Sequence, residues 1–252
     1  MKYIYFYCIA TLVFLTNCKK NIEVSPSDVN YQTAGQSLGN GQVYTWATFS
    51  TDNKPNAVGI TFTKGAFENL SHTSPPKLVL TFPSEAQGKI PFDHLYLDFA
   101  HAGHAPAGVY DTPHFDIHFF IQSLAERLAI PAYDINTSAK FENFPDMAYL
   151  PRDYIRVPEG EAQMGVHWVY SKAPELTGGK FTETFVVGSY DGKMTFFEPM
   201  VTLDLLQSKP NISKSIPLPS KFAKAGYYPM KYSIKQDGDN VVVSLEEMML
   251  MQ

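Results

Sequence analysis

From residue 42 to residue 250 the chain is a series of short runs in which apolar and aromatic residues interleave with polar ones, broken by Pro and Gly. Runs of this length and pattern predict strands over 42–50, 56–63, 77–82, 94–100, 114–121, 164–171, 181–190, 193–198 and 240–250. Between two of them, Asp191-Gly192 is a two-residue hairpin signal, because both central positions of a type I′ turn need positive φ. The clearest helical piece is short, around Ser123–Leu128, and Pro131 would end it. No internal repeat is visible. The expected fold is all-β: a single antiparallel β-barrel or sandwich domain with short helical insertions, spanning 42–252.

The first residues follow a different pattern. Lys2 precedes a run that is almost wholly apolar or aromatic from Tyr3 to Leu15. That run is shorter than the roughly 20 residues a membrane span needs, and it has the layout of a secretory signal peptide. Leu15-Thr16-Asn17-Cys18 resembles a lipobox, with Asn17 where Gly, Ala or Ser is usual. The expectation is a signal peptide over 1–17, a lipid on Cys18, and a polar tether over 18–41 carrying Ser25-Pro26-Ser27 and Gly39-Asn40-Gly41. The protein would then sit in the bacterial cell envelope, anchored through Cys18 and facing periplasm or exterior. The other cysteine, Cys8, falls inside the signal. No disulfide can therefore form within the mature chain, and stability must come from core burial or a bound ion.

Composition narrows the choice of partners. Removing Lys2 with the signal takes the formal net charge from −5 to −6. That argues against nucleic acid or anionic lipid as the main partner, since both reward clustered Lys and Arg. With aromatics at 14% and 18 prolines, the chain suits many short strands joined by turns.

Histidine is the residue whose placement most changes the picture. Five of the seven histidines lie between His94 and His118. Within Thr112-Pro113-His114-Phe115-Asp116-Ile117-His118-Phe119-Phe120, strand alternation puts His114, Asp116 and His118 on one face. Phe115, Ile117 and Phe119 take the other. Because His114 and His118 are roughly 13 Å apart along a straight strand, one ion would need further ligands from neighbouring strands. Candidates are His167, in Met164-Gly165-Val166-His167-Trp168, and Glu198, held extended by Pro199. The loop His101-Ala102-Gly103-His104 adds two more where small residues allow close approach. His72 and His94 read as structural.

The candidate metal ligands are thus His114, His118, His167 and Glu198, with Asp116 and His104 as proton-moving groups. Two or three His with one carboxylate suit a divalent transition metal: Zn, Fe, Mn or Cu. A structural polar network, or a catalytic histidine without metal, are the other readings of the same residues. There is no G-x-S-x-G elbow, no phosphate-binding glycine loop and no thiol for cysteine catalysis.

These motifs, His101-Ala-Gly-His104, Pro113 to Phe119, Met164 to Trp168 and Phe197-Glu-Pro-Met200, resemble a bacterial family of unknown function typified by a Thermus thermophilus domain. The resemblance spans most of 40–250, including the Gly-Ser-Tyr-Asp-Gly-Lys hairpin at 188–193. It implies one β-rich domain that self-associates, and no established activity. The motifs also loosely resemble cupin metal sites, but a cupin has His-x-His where this chain has His-x-x-x-His. Three functions follow as expectations: an exported metalloprotein, a small-ligand-binding β-barrel, or a self-associating structural module forming a homo-oligomer.

Overall fold

The computed structural model describes residues 28–252. The expected signal peptide, Cys18 and its lipid lie outside the described residues. Among the described residues the chain forms two open antiparallel sheets, with strands numbered in chain order. The first sheet runs β1 (Val29–Gln32), β3 (Gly41–Phe49), β4 (Pro55–Phe62), β14 (Asn240–Met251), β13 (Gly226–Asp237) and β12 (Asn211–Ser215), with β2 (Gln36–Leu38) also paired to β3. The second runs β5 (Lys77–Thr81), β6 (His94–Ala100), β7 (His114–Phe120), β11 (Lys193–Thr202), β10 (Glu183–Tyr190), β9 (Val166–Tyr170) and β8 (Tyr154–Arg156).

The two sheets pack face to face as a sandwich. Rings cross the gap between them: Phe62 lies 5.5 Å from Phe115, and Phe185 lies 5.1 Å from Tyr232. Every second residue of β7 points into this core, and Phe115, Ile117 and Phe119 are fully buried there. Such burial stabilises the fold by ~1.5–3 kcal/mol for each large apolar side chain. Of the two architectures expected, the sandwich is found, and no closed barrel occurs among the described residues.

All nine expected strands are present, and Asp191 and Gly192 turn with φ of 48° and 77°. The expected helix is α1 (Leu124–Leu128), opened by a capping box in which Ser123 and Glu126 satisfy each other's backbone donors. Two further short helices are α2 (Ser138–Phe141) and α3 (Leu203–Gln207). The expected tether over 18–41 is corrected at its C-terminal end, where β1 and β2 pair with β3. Their outward residues are polar and exposed, so no alternation marks them.

The central strands of the second sheet, β7, β10 and β11, are buried on both faces. All seven residues of β7 are buried. Loops cover its outer face and form a second apolar cluster around Tyr96, Tyr110, Phe120, Phe196 and Met200. The polar face of β7 is therefore roofed rather than solvated.

Candidate metal centre

The outer face is ordered by strand register. β7 and β11 pair Phe120 with Phe196 and Asp116 with Met200, which places Glu198 beside His118. On the other side of β11, Val186 pairs with Glu198 and Gly188 with Phe196, and β9 brings His167 opposite Gly188. His118, Glu198 and His167 thus meet from three strands. His118 Nε2 stands 3.2 Å from Glu198 Oε1, and His167 Nε2 stands 3.8 Å from Oε2.

These three offer ligand atoms that all lie within 4.8 Å of one another. His118 and Glu198 are 1% and 2% exposed. Yet neither ring nitrogen of His118 has a hydrogen-bond partner, nor does Glu198 Oε2. Orphaned buried polar atoms cost about 1–3 kcal/mol each, so their convergence calls for an additional partner. A cation fits a set of two imidazoles and one carboxylate.

The electrostatics agree. Burial, reinforced by His167 and Arg127, holds His118 down to about 3. Burial likewise lowers His167. Glu198 is pushed well up by burial and by the negative charges of Asp116, Glu161 and Asp98. Burial thus disfavours a charge on all three groups and favours the unprotonated form of histidine that ligates metal.

A second trio lies along the same strand. His104, His114 and Asp116 also bring ligand atoms within 4.8 Å of one another. His114 Nε2 is 3.0 Å from His104 Nε2 and 3.1 Å from Asp116 Oδ1, while His104 Nε2 is 3.4 Å from Asp116 Oδ2. The loop reaches back because Gly103, at φ 75°, carries no Cβ: one would stand 2.0 Å from the Tyr110 carbonyl oxygen. His104 and Tyr110 then form an antiparallel bridge. Here the charges pair. Burial opposes a charge on His104, but the hydrogen bond and charge of Asp116 outweigh it and lift the imidazole to about 9. Burial would raise Asp116, but His104 and His114 overcome it and hold the carboxyl below the usual carboxylate range.

Both trios belong to one cleft of about 350 Å³. His104, Asp116, His118, His167 and Glu198 line it, together with Asp98, Glu161 and Met200. His114 sits behind this lining, fully buried. The structure therefore gathers all six sequence candidates but splits them into two groups. His118, His167 and Glu198 form one, while His114 joins Asp116 and His104 in the other. His101 turns instead to His72, with ring centroids 5.4 Å apart. His94 donates from Nδ1 to the Asp93 carboxylate and stacks on Phe120, the structural role expected of it.

Three contributors carry no sequence signal. Arg127, 2% exposed, lies 3.8 Å from the Tyr96 ring centroid and 4.9 Å from that of Phe120. Both rings also pack on His118. On a five-residue helix an arginine reads as a surface charge, so only the fold reveals it. Phe196 packs against His118 and His167, and Gly188 makes room for its ring. Comparison with family models, with curated proteins and with solved structures finds no match in any of the three.

Proposed function

We propose that this protein is an exported, lipid-anchored metalloprotein of the bacterial cell envelope. His118, His167 and Glu198 would hold one divalent transition metal (Zn, Fe, Mn or Cu) facing a small cleft. The observation that carries this reading is the convergence of buried, unpartnered atoms of His118 and Glu198 with a partly buried His167, from three strands of one sheet. With an open position toward the cleft, such an ion supplies Lewis-acid chemistry to a small polar molecule. When it holds no ion of its own, the neighbouring His104–Asp116 pair stands ready to take or give a proton there. The export and anchoring part rests on the Lys2–Leu15 run and on Cys18. A cleft of this volume also suits a small bound ligand, so binding without catalysis is the second reading.

The test is elemental analysis of the full chain, purified in detergent without a polyhistidine tag, beside a His118→Ala variant. Near-stoichiometric metal in the parent and its reduction by one equivalent in the variant is the expected result. Unchanged metal in His118→Ala would overturn the ligand assignment. An organic molecule co-purifying with metal-free protein would favour the binding reading instead.

A further inference from the structure

Two histidines of the second trio have their tautomers fixed by the backbone. His114 Nδ1 lies 2.7 Å from the Thr112 carbonyl oxygen, and His104 Nδ1 lies 2.8 Å from that of Ala105. A carbonyl only accepts, so each Nδ1 must carry the hydrogen and donate it. Each Nε2 is then left to present a lone pair, and the two Nε2 atoms face each other at 3.0 Å. Two lone pairs at that distance need a positive charge between or beside them. Asp116 adds a carboxylate that is 6% exposed, and its Oδ1 accepts no hydrogen bond. One proton on the imidazole pair would relieve the lone-pair conflict, but on His114 Nε2 it would have to serve both His104 Nε2 at 3.0 Å and Asp116 Oδ1 at 3.1 Å, whereas a cation meets all three groups. Imidazoles that donate Nδ1–H to a carbonyl while aiming Nε2 at a shared point have the usual orientation of metal-ligating histidine.

We propose that His104, His114 and Asp116 form a second divalent-cation site in the same cleft, separate from the one on His118, His167 and Glu198. The proposal rests on its own three residues and stands whether or not the first site is occupied. Asp116 and His118 are two residues apart on β7, about 7 Å along the strand. That spacing is wider than the roughly 3.5–4 Å of a bridged metal pair, so the sites act as two single-ion sites. A small anionic molecule in the cleft could contact both.

The experiment is zinc stoichiometry of the full chain after equilibration with Zn²⁺ and removal of loosely held ion. The parent is compared with His104→Ala, Asp116→Asn, His118→Ala and the His104→Ala/His118→Ala pair. His104 is on a half-exposed loop, so its removal leaves the core intact, and far-ultraviolet circular dichroism checks this. Two equivalents in the parent, one in each single variant and none in the double variant is the expected pattern. One equivalent in the parent, kept in His104→Ala and lost in His118→Ala, would overturn the second site and leave the first. One equivalent lost in His104→Ala and kept in His118→Ala would do the reverse. No zinc in the parent would overturn both.

Discussion

At Gly188 an added Cβ would stand 2.1 Å from Phe196 Cε1 and 2.4 Å from its Cζ. The ring cannot retreat freely, because it is fully buried and its centroid lies 4.8 Å from His118 and 5.1 Å from His167. Gly188 and Phe196 are cross-strand partners, so the missing side chain on one is what lets the other lie flat and brace two of the proposed ligands. Gly188→Ala should therefore cost about 1–3 kcal/mol in denaturant unfolding, the usual penalty for overpacking a closed site. It should also weaken zinc binding at the His118 site, while leaving the His104 site as it was. A Gly188→Ala protein with parental stability and parental zinc affinity would show that the ring has room to spare.

β7 assigns its two faces to different tasks. Phe115, Ile117 and Phe119 build the sandwich core, and His114, Asp116 and His118 build the site. Stability and metal binding should separate along this one strand. Ile117→Ala is expected to lose about 2–5 kcal/mol yet keep its metal. His118→Leu should lose metal while metal-free stability holds or rises, because a buried polar group without partners is replaced by an apolar one. If both substitutions were equally destabilising to the metal-free protein, the polar face would be structural. This division was legible in the sequence, since the strand period alone sorts those residues. The grouping of ligands was not. Which histidine meets which carboxylate depends on β11 lying between β7 and β10, and on a register in which Glu198, not Met200, falls beside His118. The sequence pattern predicts no strand at β8, β12 or β13 either. The first two are short and largely exposed, and Pro229 interrupts the third, whose burial does not alternate.

Taken as a whole molecule, the fold is a sandwich whose second sheet also carries a roofed layer, and that layer holds most of the buried charge. In the metal-stripped protein its two trios should bend the pH–stability curve in opposite directions. His104 has a folded value of about 9 against 6.5 for the free side chain. Its contribution is full below 6.5 and disappears as pH rises toward 9. His118 has a folded value of about 3 against 6.5. The unfolded chain takes up that proton first, so stability is lost as pH falls from 6.5 toward 3. Glu198, raised by burial, works against the acid-side loss, because it keeps its proton in the fold where the unfolded chain has released it. Above the carboxylate range the net acid limb is therefore shallower than His118 alone would give, while below it Asp116, held low by His104 and His114, loses its pairing and adds to the fall; nothing in the trios offsets the alkaline limb of His104. Urea titrations of chelator-treated protein at a series of pH values would separate them. His104→Gln should flatten the curve between about 6.5 and 9 and also soften the most acid end, where Asp116 no longer has that partner to lose, and His118→Leu should alter only the acid side. Were His104→Gln to leave the alkaline limb in place, the His104–Asp116 ion pair would not exist in solution. Adding zinc should then raise stability at neutral pH, by about 4 kcal/mol for each site held at a thousandfold excess over its dissociation constant.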